Sequence, residues 1–195
     1  TNDRFLMRCK TVIHEKPSVL VSEMCEFKKS KAWKVGRRGV GWKRKGEIDS
    51  LVVYDSFSDK AAGSRSKKRT VVVVSYRNST TRKNLMLEVF RKYEVTGIEE
   101  DSDVCKIAVC TIKGSELPVT SLTSEEYRKD IDKSKFEVLP GWEEIGCYMF
   151  RRHVFGQTVL EYNLMVHAPS NVLSSKKLAY YFVESCGVLK NLREM

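Results

Sequence analysis

Four consecutive β-branched residues, Val71-Val72-Val73-Val74, constrain this chain more than any other segment. Valine loses side-chain freedom in a helix and packs well on a pleated surface. Thr70 to Tyr76 therefore reads as a strand buried on both faces or set at a sheet centre. Arg4 to Ile13 and Glu47 to Tyr54 read as further strands. His14-Glu15-Lys16-Pro17 reads as a turn, and the alternation Val19, Val21, Cys25, Phe27 predicts a strand after it, completing a hairpin. Ser56 to Lys68 has loop composition. Asn78-Ser79-Thr80-Thr81 then supplies N-cap residues for a helix from Arg82 to Tyr93, with Met86, Val89, Phe90 and Tyr93 on its apolar face.

The second half shows the same order. Asp103 to Ile112, Phe136 to Leu139, Glu143 to His153 and Gln157 to His167 read as strands, the last two joined by a tight turn at Phe155-Gly156. Pro118 to Lys135 is polar, with a short helix from Ser124. Ser174-Ser175 caps a helix from Lys176 to Leu189, whose face is Leu178, Phe182, Cys186 and Leu189, flanked by Ala179 and Val183. The expected fold class is α+β: two tandem antiparallel sheet modules, residues 1–100 and 101–195, each closed by a C-terminal helix, with a boundary near Gly97 to Asp103. Residues 4–93 and 104–189 should then superpose, with Phe90 and Phe182 in equivalent core positions.

Charge divides the chain differently. Residues 1–100 hold 23 of the 35 Lys+Arg and 12 of the 25 Asp+Glu, whereas the second half is nearly neutral. The densest run, Lys28 to Lys45, has nine basic residues and no acidic one. Such asymmetry raises self-repulsion without helping a fold, and it points to a polyanionic partner. A nucleic-acid-binding α+β domain is the alternative, with Trp33, Trp42 and Tyr54 near the basic run, but no RNP, KH or helix-turn-helix signature accompanies it.

The six cysteines form no Cys-x2-Cys pair, and Cys105 and Cys110 have no nearby His to complete a zinc site. They read as reduced, buried thiols, which implies the cytosol or nucleus. No apolar run approaches the roughly 20 residues needed to span a bilayer. The start at Thr1, with no apolar leader, reads as an internal fragment.

At residue level the chain resembles the tandem polo boxes, or cryptic polo box, of the centriole-duplication polo-like kinase, in a divergent nematode-like form. The segments carrying the resemblance are Lys10-Thr11-Val12-Ile13 followed by Val19 to Phe27, and Leu87 to Lys92 followed by Val104 to Val109. The resemblance implies a non-catalytic targeting and dimerisation module at the centriole or centrosome, in the cytoplasm, belonging to a serine/threonine kinase. It implies a homodimer that docks on an acidic segment of a centriolar scaffold protein, with no membrane contact. Arg82, Lys83, Arg91, Lys92 and Lys106 would belong to the docking surface by position; Arg37, Arg38, Lys43, Arg44, Lys45, Lys67, Lys68 and Arg69 join them by charge. His14 and Lys16 have the His-x-Lys spacing of phosphopeptide readers but sit in a turn, and that role is not carried over.

No catalytic residue, metal or cofactor is expected in this fragment. Glu47-Ile48-Asp49 before the valine strand loosely resembles a metal nuclease core, but Val74-Ser75-Tyr76 stands where a second carboxylate and a lysine are required. Gly-x-Ser-x-Gly, a phosphate loop and kinase signatures are missing from the sequence.

Overall fold

A computed structural model describes residues 2–26, 48–59, 67–78, 86–98, 102–113, 116, 136–138, 143–169 and 175–195. The strands are β1 (Asn2–Ile13), β2 (Ile48–Asp59), β3 (Lys67–Asn78), β4 (Met86–Thr96), β5 (Val104–Ile112), β6 (Phe136–Val138), β7 (Glu143–Arg152) and β8 (Thr158–Pro169). The helices are α1 (Pro17–Cys25) and α2 (Ser175–Arg193). All strands join one sheet in the order β1-β8-β7-β5-β4-β3-β2, and β6 adds a short parallel pairing to β4.

The two-module expectation is overturned by this topology. β1, in the first half, pairs antiparallel along its whole length with β8, in the second half, from Asn2↔Pro169 to Ile13↔Thr158. The boundary placed near Gly97 to Asp103 falls at the connection between β4 and β5, which are neighbours in the sheet. There the Cys105 thiol donates to the Gly97 carbonyl at 2.7 Å. Gly97 itself has φ 74°, and a Cβ on it would lie 2.4 Å from the Val104 oxygen, so no other residue fits without moving the turn.

Two predicted elements change type. Val19 to Phe27, expected as a strand, contains α1. Pro17 sits in its first turn, where a missing N–H costs nothing. The buried set Pro17, Leu20, Val21, Met24 and Cys25 follows helical spacing, while Val19 is 46% exposed. The helix expected over Arg82 to Tyr93 is instead β4 from Met86 onward, with residues 79–85 outside the described set. It is hydrogen-bonded on one side to the valine strand, Val71↔Tyr93, and on the other to β5. Placement between two strands overrides a helical spacing this short. Phe90 and Phe182 are therefore not equivalent: one lies on a strand, the other on α2. The predicted strands β1, β3, β5, β7 and β8, and α2, occur close to their expected positions.

The inner face of the sheet is apolar in ranks. Cys9, Tyr162, Tyr148 and Ile107 stand side by side, and the two tyrosine rings stack at 3.9 Å. The next rank is Met7, Leu164, Gly146, Val109, Tyr93 and Val71. Gly146 is enclosed: a Cβ there would meet Leu164 and Tyr162 at 3.2 and 3.3 Å. α1 packs on β5 and β7, and α2 packs on β1. Leu20, Phe150, Leu160, Leu189 and Leu192 are buried between these layers. All six cysteines are free thiols.

If α1 is a helix, its faces should respond differently to substitution. Leu20→Ala should cost about 2–5 kcal/mol. Val19→Ser should change stability by under about 0.5 kcal/mol. Urea denaturation of both variants checks this; equal losses would restore the strand reading.

Candidate functional site

The third rank of the inner face breaks the apolar pattern. Phe5 faces Val166 and Val166 faces Glu144, while Thr111 faces Arg91. Residues paired across antiparallel strands point to the same side, so Glu144 and Arg91 project from the face that carries the core. They meet across β5: Arg91 Nε donates to Glu144 Oε2 at 2.6 Å and Nη2 donates to Oε1 at 2.7 Å. The pair is bidentate and nearly dry, with side chains 12% and 2% exposed. The ladder between β5 and β7 ends at Cys110↔Ile145. Thr111 continues it with its side chain, Oγ1 accepting the Glu144 amide N–H at 3.0 Å. A charged pair is thus fixed at one edge of an apolar surface, with its geometry set by three adjacent strands.

The outer face holds Lys68, Lys92 and Lys106. Lys68 and Lys92 both reach Glu94, at 3.0 and 2.6 Å. The hydrogen bond from Lys92, then that from Lys68, holds the Glu94 carboxyl below its usual range. These three line an open recess of about 420 Å³ with Ser56, Val72 and Ile112. Lys106 is exposed on the same face. Burial pushes the Cys110 and Cys147 thiols up, which leaves them poor nucleophiles at neutral pH.

The basic residues singled out from the sequence therefore divide. Arg91 turns inward to Glu144, while Lys68, Lys92 and Lys106 stand on the opposite face. Arg69 donates to the carbonyl of Cys25 at 3.4 Å, where a cation suits a helix C-terminus. Arg37, Arg38, Lys43, Arg44, Lys45, Arg82 and Lys83, and the side chain of Lys67, lie outside the described residues. The basic run behind the nucleic-acid alternative lies outside them too. Glu144 and Thr111 were missed. The available signal was parity: on β7 the alternating buried positions are Glu144, Gly146, Tyr148 and Phe150, which puts a carboxylate on an apolar face.

No family model matches the sequence, and no curated protein matches it. Solved structures do match in shape. The chain superposes on the human StarD13 (DLC2) lipid transfer and protein localization domain with a TM-score of 0.53 at 10% identity, covering 97% of this chain and 75% of that one. This is a START-type helix-grip fold. Human STARD10 gives a TM-score of 0.52 at 10% identity, covering 97% of this chain and 62% of that one. The di-domain ARO/CYC StfQ from the steffimycin biosynthetic pathway gives 0.50 at 10% identity, covering 98% of this chain and 50% of that one. The polo-box resemblance is thereby corrected: the helix-grip likeness covers nearly the whole chain with one sheet, where polo boxes need two. The role built on it, a targeting and docking module of a centriolar kinase, is overturned with it. Among the described residues no helix is long and apolar enough to cross a membrane.

The ion pair makes a clear energetic prediction. Arg91→Met alone leaves a buried carboxylate without its guanidinium, and should cost about 3–5 kcal/mol. The double variant Arg91→Met/Glu144→Leu should recover most of that loss, because apolar replacement of both partners is often neutral or better. A double-mutant cycle in urea measures the coupling. Glu94 supplies a second test, by pH. Its folded pKa is depressed, so its contribution is present at neutral pH and is lost as pH falls below 4.5 towards the folded value. Glu94→Gln should flatten that acid limb by lowering stability at pH 7, by up to about 1 kcal/mol for so exposed a pair, while matching the wild type in acid.

Proposed function

We propose that this domain binds a largely apolar small molecule against the inner face of its sheet, under α2, with a small polar group of the ligand hydrogen-bonded at Arg91, Glu144 and Thr111. The observation carrying the reading is the position of that ion pair. It is a buried polar cluster on a face otherwise lined by Tyr, Leu, Val and Met. Ligand sites combine apolar walls with a few fixed polar groups in this way. The likeness to a lipid transfer domain supports the same class of ligand.

The polar group should be uncharged, such as a hydroxyl or carbonyl. Arg91 and Glu144 neutralise each other, so an ionic head would have to break a bidentate pair to gain a partner. A neutral group needs only a remaining lone pair or N–H. The same pairing favours a carrier over an enzyme, because the Glu144 carboxylate is already engaged by two short charge-assisted hydrogen bonds.

The experiment is a titration with a fluorescent sterol and a fluorescent long-chain alcohol, each beside its deoxy analogue. Saturable one-to-one binding is expected, with the hydroxylated ligand preferred about tenfold, as one well-made hydrogen bond supplies. Arg91→Met/Glu144→Leu should keep the fold and lose that preference while still binding the deoxy ligand. Absence of saturable binding to all four would sink the proposal, and so would a preference unchanged in the double variant.

A further inference from the structure

Three sulfur atoms meet where α2 crosses β1. Met7 and Cys9 are two residues apart on one strand, so they point to the same side, and both pack against the core. Cys186 reaches them from α2. Its Sγ lies 3.6 Å from Met7 Sδ, and its thiol is close enough to Cys9 for the two to interact electrostatically. The surroundings are apolar: Leu164 faces Met7, Tyr162 faces Cys9, and Phe182 and Val188 pack beside Cys186 on the same core. No group of three or more His, Cys, Asp or Glu comes together among the described residues, so the donors gathered here are sulfur.

We propose that Met7, Cys9 and Cys186 form a binding site for a soft monovalent metal ion, Cu(I) above all, held by two thiolates and one thioether. Soft thiolate and thioether ligands select Cu(I). Structural Zn(II) requires four donors in a tetrahedron, and this cluster offers three. Three sulfurs at about 2.3 Å from a common metal lie about 4 Å apart, so the 3.6 Å between Cys186 Sγ and Met7 Sδ asks for a shift of only a few tenths of an ångström on that edge.

Selectivity follows from the donors: a strongly thiophilic ion displaces thiol protons on binding, and a hard one does not. The bound ion would join α2 to β1 and stabilise the fold by mass action.

The test uses the reduced chain under anaerobic conditions, titrated with Cu(I) against a chromophoric Cu(I) chelator, with Zn(II) in parallel. One Cu(I) per chain should be retained against the chelator, with a higher melting temperature and an X-ray absorption shell of three sulfurs at about 2.3 Å. Cys9→Ser and Cys186→Ser should each weaken binding about 100-fold, and Met7→Leu about tenfold. Cys110→Ser and Cys147→Ser should leave it unchanged. Met7→Leu conserves volume and apolar character, so its effect is readable even if a serine variant folds poorly. Retention of Cu(I) by the Cys9→Ser/Cys186→Ser chain would overturn the assignment. Zn(II) held as tightly as Cu(I), or a shell containing nitrogen or oxygen, would overturn it too.

Discussion

An apolar sheet face this wide has to be covered, and the arrangement of the domain follows from how little is available to cover it. Six strands of the antiparallel path, β1, β8, β7, β5, β4 and β3, present ranks of Val, Leu, Tyr and Phe on one side. α1 covers the end nearest Phe150 and Leu160, and the C-terminal part of α2 adds Leu189 and Leu192. Each buried large side chain there is worth about 1.5–3 kcal/mol, so both helices are held by contact area. The ion pair lies one rank further along the same face, where Glu144 pairs with Val166 and Arg91 with Thr111.

The same pair is a poor device for stability. Taking a carboxylate and a guanidinium out of water costs several kcal/mol each, and their attraction returns that only with good geometry. Here the geometry is good: two parallel hydrogen bonds, and an amide hydroxyl-capped by Thr111. Leu and Met at these positions would fill the space with less demand on precision. A fold needing only a core has no use for Arg91 and Glu144 in it, whereas a site that must recognise a polar group does.

What the sequence revealed depended on length and locality. β5, β7 and β8 each run for nine or more residues and alternate over much of that length, enough to favour a strand. The segment around α1 is shorter, and Val19 and Val21 satisfy alternation while Leu20, Val21, Met24 and Cys25 satisfy a helix; Pro17 decided it. In β4 the set Met86, Val89, Phe90 and Tyr93 mimics a helical stripe, and only the neighbouring strands exclude that reading. Pairing of β1 with β8 leaves no local trace, so duplication was inferred where one sheet runs through both halves. For the site, Arg91 drew attention as a cation, but its inward direction depends on β4 being a strand. Glu144 lies within the predicted strand Glu143 to His153, and only its parity with Tyr148 and Phe150 sets it on the buried face.

The closure of β1 onto β8 has a consequence in time. The first strand made is hydrogen-bonded to the last, Asn2 against Pro169, and α2 follows only after that. During synthesis β1 lacks its β8 partner until most of this domain has emerged, and β8, once made, must capture a strand from the far end. Contacts so distant in sequence carry a loop-closure cost before any reward, which slows folding. Until capture, β8 presents an open edge and the inner face lacks α2, the condition in which strands pair with the wrong chain. A shortened product ending before β8 would keep every hairpin between β2 and β7, yet leave β1 unmatched and the apolar face bare. The vulnerable stage of this domain is thus the interval before β8 and α2 have been made.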